Sequence, residues 1–480
     1  MLILVTGGSG YIGSTLTAEL LNTNDQIRCL SRNVSALKGK FPKQDIDFVE
    51  ADLMDAESLC GVFQGVDVAY YLVHSLSGND GFRSQELICA TNFSRAALNA
   101  GVKKIIYLGG LGASGSGTSR HLQSRSEVGE ILRNSGVPCL EFQASIVIGP
   151  GGLSYEIMKN LVIRLPIMIT PKWVSSLAQP IWLDDCVQFL LQSRFKKLEE
   201  SRVIQIGGPE VTSYRTLMKT FAEIKGLSRI MIPVPVLTPN LSSRWLGLVT
   251  PVYARVGRKL IESLKVDSVI SDEAHMGEFD ISPIGFREAI QKTIEIEESV
   301  GIKNRWFDSV SSSVTKTEVS VKTFRKTFTD SRSVEVKVNA QQAFEPINAI
   351  GGNNGWYYGN WLWVIRGWID LIFGGVGLRR TRRKPEYFVI GDTLDWWRVI
   401  ESEPDVMVKF RAEMRLPGTA WLEFRVSRCG DYSCLTQIAG FASSGILGDL
   451  YWYALLPLHK LIFRGMIKKI GKKAESILQA

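Results

Sequence analysis

The residues best suited to chemistry gather in the opening stretch, Leu2-Ile-Leu-Val-Thr-Gly-Gly-Ser-Gly-Tyr-Ile-Gly-Ser-Thr-Leu16. A short apolar run predicts a strand, glycines 7, 8, 10 and 13 interrupt it, and an amphipathic helix pattern comes next. A strand that turns through glycines straight into a helix is a device for holding a diphosphate. The first glycine permits the tight turn, the second lets the backbone approach the anion, and the third lets the helix pack close to the strand. The helix N-terminus then presents N–H groups and the positive end of its dipole. Alone this spacing is a weak signal, and residues farther along the chain decide its weight.

Two further positions decide what the diphosphate belongs to. The second strand ends in Ser31-Arg32, where a site for NAD would place an Asp or Glu on the ribose hydroxyls. An arginine there suits a ribose 2′-phosphate through charge-assisted bonds, so the expected cofactor is NADP rather than NAD. A solvated loop charge is the competing reading of Arg32. Asp52, after the third strand, can accept from the adenine amino group, or it can cap a helix that begins near Asp55.

The elements that must position these residues alternate. Strand patterns cover Gln26–Ser31, Ile46–Glu50, Val66–Val73, Lys104–Leu108 and Cys139–Val147. Helical patterns cover Ala56–Phe63, Ser84–Asn99 and His121–Asn134. This order implies right-handed crossovers and an α/β fold with a Rossmann-type, doubly wound parallel sheet. In such a sheet the ligand lies off the carboxyl ends of the strands.

Several motifs together are more specific than the glycines. Thr6-Gly-Gly-Ser-Gly-Tyr-Ile-Gly13, Ala51-Asp-Leu53, Tyr71-Leu-Val-His-Ser75 and Thr91-Asn92 resemble the extended and atypical short-chain dehydrogenase/reductases. Ser145-Ile-Val-Ile-Gly-Pro-Gly151, Gln179-Pro-Ile181 and Ile206-Gly-Gly-Pro-Glu-Val211 resemble their NmrA-like, YbjT-like branch, over about the first 300 residues. The resemblance implies that Gly7, Gly10, Tyr11, Ile12 and Gly13 hold the diphosphate. It also implies that Asp52 and Leu53 flank adenine, and that Leu72, Val73 and His74 pass beside the ribose and nicotinamide.

One departure from that family matters. Its Tyr-x-x-x-Lys pair is absent, and Leu108-Gly-Gly-Leu-Gly112 replaces the usual Ser or Thr. His121 and Arg125 stand at the tyrosine and lysine positions, four residues apart and so on one helix face. His121 has a titration range suited to donating a proton, and Arg125 suits ribose hydroxyls or an anionic substrate. The competing reading makes both of them surface residues in a site that has lost catalysis. The expected function is an NADP-dependent reductase or dehydrogenase acting on a hydrophobic carbonyl or enone. The alternatives are an NADP sensor or assembly protein without turnover, or a lipid- or quinone-binding protein.

Residues 1–302 are expected to form this domain, with a nucleotide core over 1–150 and a substrate-facing part over 151–302. In the latter, Ser154–Arg164 reads as a helix and Ile281–Ile290 as a strand, loop and helix. Leu165–Pro171 and Ile230–Val236 read as cleft wall or plain core. A polar linker over 303–330 leads to a second domain over 331–480. There Val334–Val338, Tyr387–Ile390, Trp397–Glu403, Val406–Met414, Thr419–Ser427 and Ser433–Phe441 read as strands, and Ala340–Ile350 as a helix. A terminal helix carries the stripe Leu455, Leu458, Ile462, Met466, Ile470 and Ile477. This order resembles the START/polyketide-cyclase-like helix-grip fold. Gly355-Trp-Tyr-Tyr358, Trp396-Trp397 and Tyr451-Trp-Tyr453 also resemble the uncharacterised domain that follows YbjT-like domains. The aromatic cluster reads as pocket or core, and Arg379–Lys384 as an anion grip or a solvated loop. Lys460, Arg464, Lys468 and Lys472 form a basic strip that could lie on an anionic bilayer or face water.

Composition bounds the rest. The 480 residues are 45% hydrophobic and 22% charged, with a net charge of +8. Length argues for two domains. The seven cysteines are scattered, and the four histidines at 74, 121, 275 and 459 are far apart, so no metal site is expected. The cysteine usage, and a chain that opens directly on a strand with no room for a leader, predict a reducing, cytoplasmic protein. No basic stripe interleaved with aromatics suggests nucleic acid. The most apolar window, Trp361–Leu378, contains Arg366 and Asp370, so no membrane span is expected. The sequence sets no oligomeric state.

Overall fold

The computed structural model describes the chain apart from residues 43, 75–81, 113–118, 235–261, 273–274, 300, 303, 306–307, 309–325, 373–374, 376, 378–386, 415, 431 and 477–480, and apart from the side chains of 82, 120, 121, 353 and 372. Contacts divide it into two compact units, Met1–Ser313 and Val314–Ala480.

The first half of unit 1 runs β1 (Leu2–Thr6), α1 (Tyr11–Leu20), β2 (Gln26–Ser31), α2 (Val34–Lys40), β3 (Asp47–Glu50) and β4 (Val68–Tyr71). It continues through α3 (Phe82–Asn99), β5 (Lys104–Gly110), α4 (Arg120–Arg133) and β6 (Cys139–Ala144). After it come β7 (Val147–Ile148), α5 (Leu153–Arg164), β8 (Ile167–Pro171), β9 (Leu177–Ala178), β10 (Ile181–Trp182) and α6 (Leu183–Ser193). β11 (Arg202–Ile206), β12 (Thr212–Ser213), α7 (Tyr214–Ile224), β13 (Ile230–Val234) and a helix over Phe286–Ser299 complete the unit.

Seven strands form one sheet in the order β11-β6-β5-β4-β1-β2-β3, and every pairing is parallel. A parallel sheet must be covered on both faces, and its strands alternate accordingly. Ile3 and Val5 of β1 join Leu16 and Leu20 of α1 and Phe189 of α6 in one core. Leu4 faces the opposite core with Phe93 of α3 and Leu132 of α4. Phe93 meets Phe63 and Tyr71 edge to face, at 5.1 and 5.0 Å between ring centres. A third apolar cluster joins α5, α7 and the helix Phe286–Ser299 in the substrate-facing part.

Three expectations for this unit are corrected. The helix over Ala56–Phe63 is only a three-residue turn, Glu57–Leu59. Asp52 and Asp55 accept from the amides of Met54 and Glu57, and Gly61 and Gly65 come next with φ of +75° and +73°. Those side chains satisfy the backbone locally, which leaves little for a longer helix to gain. Ile281 begins an irregular stretch rather than a strand, and the helix starts at Phe286. The two proline-bearing segments pair as β8 and β13, in parallel. Ile167, Ile169, Ile230 and Ile232 on that pair are exposed, so the described part is not plain core.

Unit 2 is a six-stranded antiparallel sheet. Its strands are β14 (Lys326–Val336), β15 (Thr393–Leu394), β16 (Trp397–Glu403), β17 (Met407–Ala412), β18 (Gly418–Cys429) and β19 (Tyr432–Ser443). Their order is β14-β19-β18-β17-β16-β15. The terminal helix Ile446–Ser476 lies on β14 and β19, burying Ile462, Phe463, Met466, Ile470 and Ala474. The helix Ala340–Asn348 packs beside it, opened by a capping box between Asn339 and Gln342. Trp356, Trp363, Trp396 and Trp397 are buried, with Trp356 and Trp363 stacked at 4.6 Å, so this aromatic cluster is core. Tyr387–Ile390 is not a strand, because Asp392 ties that stretch into a turn through the amide of Val389. A helix over Asn360–Ile372 adds an element that the sequence patterns do not mark. The Arg379–Lys384 run and Ile477 lie outside the described residues.

Candidate functional site

In the sheet, β1 lies between β2 and β4, and the chain steps to β2 and β3 on one side before returning to β4 on the other. The crevice at this reversal is where a doubly wound sheet accepts ligands. Gly7 turns there with φ +77°, and a Cβ on it would lie 2.6 Å from the carbonyl oxygen of Leu72. A Cβ on Gly13 would lie 2.2 Å from the carbonyl oxygen of Gly7, so the helix passes directly over the turn. The turn is closed by a 2.8 Å bond from the amide of Gly10 to the Gly7 carbonyl.

Gly10 caps α1 without a side-chain bond, and the first turn holds no acidic residue. The amides of Tyr11, Ile12 and Gly13 therefore lack intrahelical acceptors, at the positive end of the helix. This backbone cradle, closed to any side chain, fits a diphosphate. The Tyr11 side chain leads elsewhere. Its hydroxyl is buried with no described partner, and Cβ atoms on Gly149 and Gly152 would stand 2.7 and 2.9 Å from it. Burial, with Glu156 and Asp184 nearby, holds this phenol well above its usual range.

On the β2 side Arg32 is exposed, and Ser31 bonds with the backbone of Asn33, which caps α2. Lys40, which sequence reasoning missed, donates to the carbonyl of Ser9 at 2.7 Å and brings a cation to the glycine turn. Register also sets Glu50 beside Ser31. Asp52 uses its carboxylate for the Met54 amide in a local turn and caps no helix, since the short turn Glu57–Leu59 has Ala56 at its N-cap, and Asn92 holds the Leu53 carbonyl at 2.9 Å.

Past β4, Leu72, Val73 and His74 are half-buried. His74 Nδ1 lies 3.0 Å from Glu86 Oε1, and Ser124 Oγ donates to Glu86 Oε2 at 2.5 Å. Glu86 is largely buried and Ser124 fully so. Burying a carboxylate is costly without partners, and here two side chains from other elements supply them. Glu86 and Ser124 carried no sequence signal, since α3 and α4 must pack before the two meet.

Arg125 is half-buried. It donates to the Leu108 carbonyl and lies over the Tyr107 ring, 5.6 Å from its centre, while its Nε is buried with no described partner. His121 opens α4, but its side chain lies outside the described residues. A Cβ on Gly109, at the place of the missing Ser or Thr, would lie 2.9 Å from Glu141 Oε1. In the substrate-facing part, Ile157, Met158, Trp173, Tyr214, Met218 and Leu264 line a small apolar cavity. Among the described residues no cluster of His, Cys, Asp and Glu is arranged to hold a metal, and no helix is long and apolar enough to cross a membrane.

Comparison with known proteins places this geometry. Residues 1–161 match the NmrA-like family, and residues 324–466 match a protein family of unknown function, DUF2867. An uncharacterized Mycobacterium tuberculosis protein is 24% identical over 241 residues, 49% of this chain but only 25% of its own length. The solved Citrobacter triphenylmethane reductase is similar over 62% of this chain and 100% of its own, with a TM-score of 0.51 at 16% identity. The Bordetella bronchiseptica enzyme WbmG in complex with NAD is similar over 64% of this chain and 96% of its own, with a TM-score of 0.50 at 16% identity. The chain thus carries an NmrA-like domain of Rossmann type, followed by a domain of unknown function.

Proposed function

We propose that unit 1 is an NADP-binding oxidoreductase that reduces a hydrophobic carbonyl or enone. The observation that carries this reading is the glycine turn, where Gly7 and Gly13 leave room for no side chain and the helix N-terminus follows directly. The resemblance to a reductase and to an NAD-bound enzyme of the same fold supports it. Gly7, Gly10, Tyr11, Ile12 and Gly13 would hold the diphosphate through their backbone, with Arg32 and Lys40 supplying positive charge at its rim. Asp52 and Leu53 would border the adenine, and Leu72 and Val73 the nicotinamide ribose. When bound, the cofactor supplies a hydride.

The chain's own task is the proton that balances the new bond. His74 is placed for it: in the imidazolium form Nδ1–H donates to Glu86, which fixes the ring, and the exchangeable proton is the one on Nε2. That proton passes to the developing alkoxide or enolate, and solvent restores it. Glu86 and Ser124 position His74 and do not touch the substrate. His121 is the competing donor, with Arg125 orienting the substrate as the helix spacing suggests. The substrate-facing part 151–302 would take the apolar end of the substrate. Unit 2, whose first strand begins at Lys326 within the linker expected over 303–330, would be a START-like domain for an apolar ligand.

The test is NADPH oxidation against a panel of apolar carbonyls, with nucleotide affinity measured separately by fluorescence. His74→Gln should lower turnover about 10²- to 10⁴-fold at unchanged NADPH affinity. Unchanged turnover in that variant, with loss in His121→Phe, would return the donor role to His121. A second reading is a sensor that binds NADP without turnover, and the position of Gly109 favours it, since the family's Ser or Thr would have to displace the Glu141 carboxylate there. Tight binding with no turnover across the panel would decide for the sensor.

A further inference from the structure

The chain's net charge of +8 is unevenly placed. Residues 1–313 contain 32 Lys and Arg against 32 Asp and Glu, whereas residues 314–480 contain 24 against 16. All of the excess belongs to unit 2. That unit also exposes a large apolar surface on two helices.

On the helix Asn360–Ile372, Trp363 and Asp370 face inward, while Trp361, Val364, Ile365, Trp368 and Ile369 face outward at helical spacing. Trp361 and Trp368 are 65% and 64% exposed, although tryptophan is a large side chain that folding usually removes from water. The terminal helix continues this pattern. Its exposed face runs Ile446, Leu450, Tyr453 and Leu461, and then changes to Arg464, Lys468 and Lys472 on the same line. The two helices adjoin, because Arg366 donates to the hydroxyl of Tyr451 and lies 5.8 Å from the centre of its ring.

Isolated exposed apolar residues need no explanation, but a contiguous set on neighbouring helices marks an interaction surface. Charge selects the partner. An apolar face flanked by tryptophans and continued by cations matches the boundary between acyl chains and anionic headgroups, where such helices lie in the interface plane. We propose that this surface of unit 2 binds the face of an anionic lipid bilayer. Trp361, Trp368 and Leu450 enter the acyl boundary, while Arg464, Lys468 and Lys472 lie on the headgroups. Among the described residues no helix is long and apolar enough to cross the membrane. A surface of this kind would keep the protein where apolar molecules partition.

The test uses the full chain with phosphatidylcholine vesicles containing or lacking phosphatidylglycerol. Co-sedimentation should require phosphatidylglycerol and weaken with salt. Arg464→Glu/Lys468→Glu/Lys472→Glu should reduce it by about tenfold or more. Trp361→Phe/Trp368→Phe keeps the apolar face, so binding should persist while quenching of tryptophan fluorescence by brominated lipid falls. That variant protects the test against misfolding. Absence of sedimentation from wild type at low salt would overturn the proposal. So would an outcome in which Trp361→Glu/Trp368→Glu dissociates a dimer and leaves vesicle binding unchanged, because the face would then belong to a second copy.

Discussion

Each unit buries a group whose titration is displaced by that burial, a glutamate in unit 1 and a histidine in unit 2. Unit 1 encloses a carboxylate cluster beside α5, where Lys159 lies 2.5 Å from Glu156 and 2.9 Å from Glu297. Burial raises Glu297 to about 7, against the opposing pull of Lys159. Unit 2 encloses an imidazole. His459 contacts Trp452 and Phe463, its Nδ1 has no described partner, and burial with Arg366 nearby lowers it to about 4. The parallel sheet of unit 1 gathers polar side chains at one end of its strands, whereas unit 2 uses its helices for an aromatic core and an exposed apolar face. The first arrangement suits a small charged ligand, and the second suits a surface.

The largest test of this contrast removes the cradle. Gly13→Val should abolish nucleotide binding, by at least about 100-fold in Kd, because a Cβ there meets the Gly7 carbonyl oxygen at 2.2 Å and neither backbone can yield cheaply. Fluorescence titration with NADPH reads this, and vesicle binding by the same variant should be unchanged. Next in size, Glu86→Gln should lower turnover about tenfold to a hundredfold and alter the pH profile of kcat, since the amide keeps the shape but not the charge that orients His74. A flat ratio to wild type across pH would show that Glu86 only holds the fold.

Smaller again is the choice of cofactor. Arg32→Glu should weaken NADP about 10- to 100-fold and leave NAD nearly unchanged, the loss of one charge-assisted contact. Glu50 beside Ser31 sharpens the point. If Glu50→Gln weakens NAD more than NADP, that carboxylate already serves a ribose hydroxyl.

The smallest effect is a pair of opposite slopes. Glu297 keeps its proton in the folded state up to about pH 7, whereas the unfolded chain releases it near the ordinary glutamate value of 4.5. Unit 1 should therefore lose stability as pH rises through that window. His459 resists protonation down to about pH 4, while the unfolded chain takes a proton near 6.5, so unit 2 should lose stability as pH falls through that window. Calorimetry should show two transitions shifting in opposite directions by roughly 2–6 °C. Glu297→Gln should flatten the first slope and His459→Leu the second.

Local patterns made much of this legible. Gln26–Ser31 alternates and forms β2 over those same residues, and the glycine turn could be placed because its spacing and its chemistry coincide. Competition from side chains was harder to foresee. Asp52 and Asp55 capture amides that a helix over Ala56–Phe63 would have used. The helix Asn360–Ile372 is hard to read because its apolar face points outward, the reverse of the arrangement that marks surface helices. Glu86, Ser124 and Lys40 lie in different elements from their partners, and only the fold brings each pair together.

Tyr11 gives the crevice a consequence for kinetics. Its backbone belongs to the anion-holding turn, and its hydroxyl ends between Gly149 and Gly152 at the root of α5. One residue therefore ties the glycine turn to the loop that opens α5, the helix that carries Ile157 and Met158 of the apolar cavity. In the proposed reading a nucleotide that orders the turn would steady this loop, which favours compulsory order, with nucleotide entering first and leaving last. Product-inhibition patterns would record that order, and Tyr11→Phe should preserve it, because the ring and not the unpartnered hydroxyl spans the gap.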